Sequence, residues 1–429
     1  MTQYHQPMDA LGLYLSVPFC RAKCSFCNFA SDAFAPRRLP LYVDRLCAEI
    51  AEAHPRAHRL GADLPLTVDT LYFGGGTPSL LEPADVRRIV TTLRDHFDLT
   101  PDPEITVECA PNQLSPATLE ELQRQGVNRL SFGVQSFLDR ESAAIGRTHT
   151  ARDCLGELDR VRSAGILNLS LDLIAGLPHQ TEASWRASVE QAIATGVPHV
   201  SIYLLEVDDD SRLGREILSD GPRYGAPTVP SDDQAADFYE LACDRLEAAG
   251  IPQYEISNFA RPGFRSRHNL KYWDRQPYMG FGLDAHSMLR SPTGDLRFSN
   301  PGDLDSYLHT PLPQTGAGNS FHLLPSDPAP APAPDRLIPA PTPVPDRLTR
   351  AEAFEETVFL GLRRNEGISL HALREQFGST AVDLIRPALR ESAEAGLLDL
   401  TGDTARLTAR GRVLSNEVFS LLLLPTAAI

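Results

Sequence analysis

Long hydrophobic runs are absent from this chain of 429 residues. A transmembrane helix needs about 20 apolar residues, and the longest candidate run, at positions 421–424, is far shorter and is interpreted as the buried end of a helix or strand. An excess of positive charge is absent too: 40 Lys and Arg residues stand against 56 Asp and Glu residues, and the net charge of −16 argues against a nucleic-acid-binding protein. Residues 1–10 are polar and contain no apolar segment, so no secretory signal is visible. We therefore expect a cytoplasmic protein that binds no nucleic acid.

Cysteines are few, but three of the seven stand within eight residues, as Cys20, Cys24 and Cys27 in the spacing C-x3-C-x2-C. An odd triplet does not fit a disulfide framework, and a zinc site would need a fourth Cys or His close by. Three thiolates at this spacing can instead hold three irons of a cubic four-iron cluster and leave the fourth iron open for a ligand. The other cysteines are dispersed and are interpreted as structural thiols in a reducing compartment: Cys47, Cys109, Cys154 and Cys243.

Short apolar runs rich in β-forming residues alternate with longer helical patterns. The predicted strands cover residues 11–17, 68–73, 104–108, 129–134, 168–174 and 200–205, and the predicted helices cover 39–54, 83–96, 115–125, 151–164 and 182–195. This alternation predicts an α/β protein whose parallel sheet is covered by helices. Six repeats suggest a partial barrel, a shortened relative of the eightfold one. The pattern alone leaves a flat, doubly wound sheet open as the alternative.

Residues suited to chemistry follow the predicted strands one after another. Cys20 follows the first strand and the glycine run at 74–76 follows the second. Glu108 ends the third strand, Gln135 the fourth and Asp172 the fifth. The catalytic groups of such barrels gather at the C-terminal ends of the strands. Five motifs at five successive strand ends therefore predict one site at that end of the barrel.

Motifs around the cysteine triplet carry a resemblance to a known family. They are YLSVPFC at 14–20, GGGTP at 74–78, GVQS at 133–136 and DLIAGLP at 172–178, in that order. This set resembles the oxygen-independent coproporphyrinogen III oxidase family of the radical S-adenosylmethionine (SAM) superfamily, and within it most resembles the HemW branch of haem chaperones. The resemblance implies a partial (β/α)6 radical-SAM barrel. It also implies one 4Fe–4S cluster on Cys20, Cys24 and Cys27, which when reduced supplies the electron that cleaves bound SAM.

The resemblance also implies which residues hold SAM. Tyr14 and Phe26 would shape an apolar wall, although buried core aromatics explain them equally well. A side chain at Gly76 is expected to occupy space that the cofactor needs. A phosphate-binding loop is the weaker interpretation of the glycine run, since no Lys-Ser or Lys-Thr follows it. The expected SAM contacts are Gly75, Gly76, Thr77, Glu108, Gln135, Arg147 and Asp172.

Two departures separate the chain from the oxidases of this family. Their fourth motif cysteine is replaced by Phe29, and only about ten residues precede the first strand, where the oxidases carry a longer segment. Both differences point away from porphyrinogen decarboxylation. Oxygen-independent coproporphyrinogen III oxidase activity stays open as the first alternative, another radical-SAM reaction such as a methyltransferase-like activity as the second, and an interaction module without a cluster as the third.

A haem site is expected at residues 267–273, RHNLKYW, which match the H-N-x-x-Y-W element of the HemW branch. His268 could ligate haem iron, and Tyr272 and Trp273 could stack on the macrocycle. A polar loop with two packed aromatics explains the same residues, and His286 is a second candidate ligand. The resemblance implies haem and haem-accepting proteins as partners, including membrane proteins, and an electron donor such as flavodoxin or ferredoxin.

Composition divides the chain into three predicted parts. Residues 1–300 form the radical-SAM barrel with its family-specific extension, and residues 301–347 form a Pro/Ala-rich linker or insert without apolar periodicity. Residues 348–429 form a small α+β domain with helices at 351–363, 371–377 and 382–395 and a hairpin at 397–400 and 405–407 around Gly402. Helices followed by a hairpin are typical of a winged-helix-like domain, yet no basic recognition helix stands out.

Overall fold

The computed structural model describes residues 10–27, 32–33, 37–310 and 345–424. The predicted linker therefore lies mostly outside the described residues, as does Phe29. No helix in the described part of the chain is both long and apolar enough to cross a bilayer.

Strands of the described residues form one large sheet, one three-stranded sheet and one short strand pair. Their bounds are β1 Leu11–Val17, β2 Phe19–Cys20, β3 Asp32–Ala33, β4 Thr67–Gly75, β5 Asp98–Cys109, β6 Arg129–Gln135, β7 Asn168–Ala175, β8 His199–Leu204, β9 Asn258–Ala260, β10 Tyr278–Phe281, β11 His286–Leu289, β12 Leu296–Ser299, β13 Asp346–Arg347, β14 Ile368–Ser369, β15 Leu398–Thr401 and β16 Thr404–Leu407.

Helices connect and cover these strands, and several begin with reciprocal capping boxes, such as the Thr150–Asp153 pair at the start of the sixth helix. Their bounds are α1 Leu39–Ala51, α2 Ala53–Leu60, α3 Pro83–His96, α4 Pro116–Arg124, α5 Asp139–Ala144, α6 Ala151–Ser163, α7 Glu182–Ala194, α8 Arg212–Leu218, α9 Asp232–Ala248, α10 Arg267–Trp273, α11 Leu304–His309, α12 Arg350–Arg363, α13 Leu370–Phe377, α14 Ser379–Glu394, α15 Ala409–Val413 and α16 Ser415–Leu421.

Six parallel strands form the barrel, in the order β1-β4-β5-β6-β7-β8. This confirms the predicted partial barrel. The sheet also continues beyond both edges: β9 pairs antiparallel with β8, while β10 pairs parallel with β1 on the side away from β4 and leads into antiparallel β11, β12 and β13. Sequence analysis did not predict this extension.

Each barrel strand turns apolar residues toward the helices and polar residues toward the interior. On β1, for example, Leu11, Leu13 and Leu15 are fully buried in the main core, whereas Tyr14 and Ser16, which alternate with them, lie on the other face. Residues that are paired between neighbouring strands point to the same side of the sheet, so the polar positions of all six strands face one interior chamber. The inward rows are Gly12, Tyr14 and Ser16; Thr70, Tyr72 and Gly74; Thr106 and Glu108; Arg129, Ser131 and Gly133; Ser170 and Asp172; and His199, Ser201 and Tyr203.

A second hydrophobic core lies in the C-terminal part, where α12, α13 and α14 pack against the antiparallel sheet β14-β16-β15. The predicted helices and hairpin are present, which confirms the winged-helix-like architecture. Within the run at 421–424, which was expected to be buried, only Leu422 is fully buried and Leu423 is exposed, so that expectation is wrong in part. The C-terminal part contacts the barrel extension through an Arg275–Glu356 ion pair of 3.0 Å.

Candidate functional site

The three cysteines of the C-x3-C-x2-C motif lie on the loop after β1. Cys20 ends the short strand β2, and Cys24 and Cys27 follow on an irregular stretch. The Ser25 amide donates to the Ile145 carbonyl at 3.0 Å, and the Ser25 carbonyl accepts from the first turn of α8 at 2.8 Å. Cys24 is buried, while Cys20 and Cys27 are half-buried. The motif is thus held in place between two other loops at the C-terminal end of the barrel.

The surroundings of the Cys20 and Cys24 thiols act on their pKa values in opposite directions. Burial raises the pKa of the Cys20 and Cys24 thiols, and the nearby Arg147 guanidinium opposes that rise. The Thr77 hydroxyl donates to Cys20 Sγ at 3.5 Å, which also favours the thiolate. In the described residues, no three His, Cys, Asp or Glu side chains converge on a single metal ion. A cubic cluster does not require such convergence, because each cysteine binds a different iron.

The glycine run passes directly against the backbone that follows β1. The Gly76 amide donates to the Val17 carbonyl at 2.9 Å, and the Thr77 amide donates to the Phe19 carbonyl at 2.9 Å. Gly75 has φ +98°, a left-handed conformation that favours glycine. A Cβ on Gly76 would lie 2.7 to 2.8 Å from backbone atoms of Val17 and Phe19. The expectation for Gly76 is therefore corrected: a side chain there would collide with the chain's own backbone rather than fill cofactor space.

Glu108 is the penultimate residue of β5 and points into the chamber near the glycine run. The Tyr72 hydroxyl donates to Glu108 Oε1 at 2.9 Å. Burial raises the pKa of Glu108 to about 7, and the Asp172 carboxylate adds to the rise, while hydrogen bonds from Tyr72 and the Gly75 amide oppose it. The site therefore contains a carboxyl group that titrates near neutral pH, which is a common property of functional sites.

Gln135 and Arg147 lie side by side over Gly133. A Cβ on Gly133 would come within 2.9 Å of Gln135 Nε2 and 3.2 Å of Arg147 Nη2, so glycine makes room for both side chains. Gln135 has φ +69°, which is strained for a residue with a side chain. Arg147 Nε is buried and has no hydrogen-bond partner in the described part of the chain. A bound group with acceptor oxygens, such as a carboxylate, would satisfy this donor.

Asp172 completes the ring of predicted side chains from β7. The Ser131 hydroxyl donates to its carboxylate at 3.2 Å. Burial raises the pKa of Asp172, while hydrogen bonds from Ser201 and Ser131 and the Arg129 and Arg147 guanidinium groups favour the ionised form. The structure thus brings the strand-end residues to one end of the barrel beside the cysteine loop. Their chemistry fits a cofactor with an amino acid end, as SAM has.

Tyr14 and Phe26 occupy different surroundings. Tyr14 faces the chamber and stacks on Tyr72 with ring centroids 6.0 Å apart. Phe26 packs against the buried Ile145 and Leu177 in a small separate cluster beneath the cysteine loop. The core interpretation of Phe26 is therefore supported by its packing, and Tyr14 is the aromatic that borders open space.

His268 lies on α10, which packs against Gly12 on β1 and Thr70 on β4. Its imidazole is 1% exposed, and both ring nitrogens have side-chain partners: Nδ1 lies 2.9 Å from Thr70 Oγ1 and Nε2 lies 2.8 Å from the Tyr272 hydroxyl. Burial lowers the pKa of His268 to about 3. In this structure His268 has neither a free ring nitrogen nor an exposed ring edge, so its surroundings give no support to the expected haem ligation, which stays a prediction. In this arrangement His268 instead fixes the position of Tyr272.

A cavity of about 350 Å³ opens beside the glycine run, on the side of the barrel extension. Its wall combines barrel residues with residues of α10, β10, β11 and the loop between the last two. The lining residues are Tyr14, Ser16, Gly75, Tyr272, Tyr278, Leu283, Asp284 and His286.

Sequence analysis missed several residues that build the chamber. Arg129 is almost fully buried and its charge acts on Glu108 and Asp172, and Tyr72 holds the Glu108 carboxylate. The available signal was the alternation within each strand, since a polar residue at every second position marks a second, polar face. Asp284 carried no such signal, because its place in the cavity depends on the sheet extension.

Comparisons with known proteins agree with this geometry. Residues 14–192 match the radical SAM superfamily and residues 348–414 match the HemN C-terminal domain. The heme chaperone HemW of Bacillus subtilis is 32% identical over 96% of this chain and 98% of its own length, and that of Mycobacterium tuberculosis H37Rv is 34% identical over 97% and 96%. The chain belongs to the HemW family. The structure of the coproporphyrinogen III oxidase HemN from Escherichia coli shares the fold, with a TM-score of 0.77 at 23% identity over 98% of this chain and 91% of that one.

Proposed function

We propose that this protein is a haem chaperone that binds one 4Fe–4S cluster, SAM and haem, and delivers haem to an acceptor protein. The observation that carries the proposal is the similarity to proteins named heme chaperone HemW, which extends over almost the whole of both chains. The likeness to the coproporphyrinogen III oxidase shows only a shared fold.

Cys20, Cys24 and Cys27 would hold the cluster. Arg147 and Gln135 would bind the amino acid end of SAM, with Glu108 and Asp172 accepting hydrogen bonds from its donor groups. When bound, the cluster and SAM supply one-electron chemistry. The residues of this chain position the cofactor between the glycine run and the strand ends.

Anaerobic reconstitution tests the cluster. We expect the Cys20→Ala, Cys24→Ala, Cys27→Ala triple variant to lose iron and sulfide, because each thiolate binds one iron. The matched control is Cys243→Ala on α9, a half-buried thiol outside the motif, which should keep wild-type iron content. Wild-type iron in the triple variant would contradict the assignment.

Haem transfer tests the chaperone role. Wild-type protein titrated with ferric haem should develop a Soret band and pass haem to an apo-haem protein. In parallel, coproporphyrinogen supplied under anaerobic reducing conditions with SAM should not be converted to protoporphyrinogen. Porphyrinogen turnover without haem binding would overturn the proposal in favour of the oxidase.

A further inference from the structure

We propose that Glu356 of the C-terminal part is a positioning residue of the SAM site, acting through Arg275 on the end of α10 that carries Tyr272. The inference rests on the proposed function and gives the C-terminal part a role in cofactor binding. It starts from the cavity beside the glycine run, which Tyr272 and Tyr278 line together with Gly75, an expected SAM contact. Both rings therefore belong to the cofactor site, although neither lies on one of the six barrel strands.

Arg275 is a buried cation where α10, the turn between β11 and β12, and α12 meet. Its side chain is 4% exposed, and the guanidinium donates to Glu356 Oε2 at 3.0 Å, Asp295 Oδ2 at 2.8 Å and Thr357 Oγ1 at 3.3 Å. A planar guanidinium presents its donors in fixed directions, so these contacts also fix its orientation. The backbone of Arg275 has φ +48°, a left-handed conformation that its surroundings must hold in place. The end of α10 is thereby fixed to the C-terminal part.

Two further contacts attach the C-terminal part to the same end of α10. The Arg363 guanidinium, at the end of α12, lies 4.5 Å from the centre of the Trp273 ring. Arg364, the next residue, forms an ion pair with Asp274. Three successive residues of the barrel extension, at 273–275, thus contact the C-terminal part. A helix end held at three successive positions cannot shift or turn independently of the part that holds it.

This junction lies within one helical turn of the cavity wall. The Arg275 amide donates to the Tyr272 carbonyl at 3.1 Å, and the Tyr272 and Tyr278 rings meet edge to face with centroids 4.6 Å apart. Arg297 pairs with the second Glu356 oxygen at 2.9 Å. Burial raises the pKa of Tyr278, and the nearby Arg297 guanidinium opposes that rise. The ion-pair network therefore lies beside both tyrosines, and a shift of α12 would move the wall of the cofactor cavity.

Coupling of this kind is reciprocal. If docking of the C-terminal part strengthens SAM binding by some factor, bound SAM must strengthen docking by the same factor, and coupling between sites usually amounts to about fivefold or more. Docking can be followed at two amides that cross the junction. The Ile256 amide donates to the Arg363 carbonyl at 3.1 Å, and the Asn365 amide donates to the Tyr254 carbonyl at 3.1 Å.

SAM titration of the anaerobically reconstituted full-length protein tests the inference. We expect Glu356→Gln to weaken SAM binding about fivefold or more, while iron content stays at the wild-type level because other elements hold the cysteine loop. The matched control is Glu366→Gln, since Glu366 pairs across the same junction at 2.5 Å but with Arg265 rather than Arg275. This control should keep the wild-type SAM affinity.

A double-mutant cycle separates positioning from a general loss of stability. Tyr272→Ala removes the ring through which Glu356 is inferred to act. In that background, Glu356→Gln should leave SAM affinity unaltered, because two residues that act as a unit have non-additive effects. The same loss of affinity from Glu356→Gln in both backgrounds would overturn the inference.

Hydrogen exchange of the unmodified protein gives a second test that needs no substitution. Saturating SAM should slow exchange at the Ile256 and Asn365 amides about fivefold or more, and exchange that SAM leaves unchanged would overturn the inference. If the wild-type protein binds no SAM, the proposed function fails. If it binds SAM and the Glu356→Gln variant binds SAM equally well, only the inference fails and the proposed function stands.

Discussion

Glu108 gives the sharpest test of the SAM site, because its pKa of about 7 lies within the working pH range. Glu108→Gln preserves the size of the side chain and an acceptor for the Tyr72 hydroxyl, but removes the charge. With a pKa of about 7, the ionised fraction rises about tenfold between pH 6 and pH 8. If SAM requires the carboxylate as its acceptor, its affinity in the wild type should rise by the same factor, about 1.4 kcal/mol.

The assay is a SAM titration of the anaerobically reconstituted protein at pH 6, 7 and 8. We expect Glu108→Gln to bind SAM weakly with no rise between pH 6 and 8, while its iron content stays at the wild-type level. Glu120→Gln, at an exposed position on α4, is the matched control and should keep the wild-type slope. A slope retained in Glu108→Gln would refute the role of this carboxylate.

The same raised pKa sets the sign of a stability effect in the cofactor-free protein. The folded state holds the Glu108 proton more tightly than the unfolded chain does, so stability falls as the pH rises from 4.5 to about 7. The loss attributable to Glu108 is at most about 3 kcal/mol. Thermal unfolding of the wild type and of Glu108→Gln should converge below pH 4.5 and diverge above it, with the variant more stable at pH 8.

Two further substitutions test the backbone contacts that position the site. Gly76→Ala should destabilise the protein by about 2 kcal/mol in a denaturant titration, because its Cβ would collide with neighbouring backbone. The control is Gly156→Ala on α6, where a Cβ would meet nothing within 4 Å, and this variant should be neutral or stabilising in the same titration. Tyr42→Phe should cost about 2–4 kcal/mol, since the Leu283 amide and a carbonyl of β1 both lose a buried partner. Tyr224→Phe, which keeps its ring contact with a neighbouring arginine, is the matched control, and equal stability of the two Tyr→Phe variants would contradict the assigned hydrogen bonds.

The repeating part of the fold followed closely from the sequence. The first strand and the helix at 83–96 have the predicted bounds, because apolar periodicity and a first-turn proline mark them locally. The segments after Leu204 were harder to predict from the sequence. A polar loop was one interpretation of the segment that forms α10, and strands β10, β11 and β12 are each only four residues long. Short strands carry too few residues to show a period, so their pairing partners decide whether they form.

The candidate site divides in the same way. Strand-end position predicted that Glu108, Gln135 and Asp172 lie together, and the barrel places them so; their contacts with SAM stay predictions. The burial of His268 could not be predicted, because it depends on packing between two distant parts of the chain. The partner of His268 on β4 is Thr70, which lies nearly two hundred residues earlier in the sequence.

The sequence by itself determined the α/β class, the family and the candidate cluster cysteines, since spacing, strand alternation and short motifs are local properties of the chain. Only the tertiary structure decided which groups are available for chemistry. In the folded chain both ring nitrogens of His268 are hydrogen-bonded to hydroxyl groups from two different elements, and His286 is exposed at a cavity. Burial in the fold also raises the pKa of Glu108. Burial, hydrogen-bond partners and local charge depend on residues distant in sequence, and these three quantities set the reactivity of each side chain.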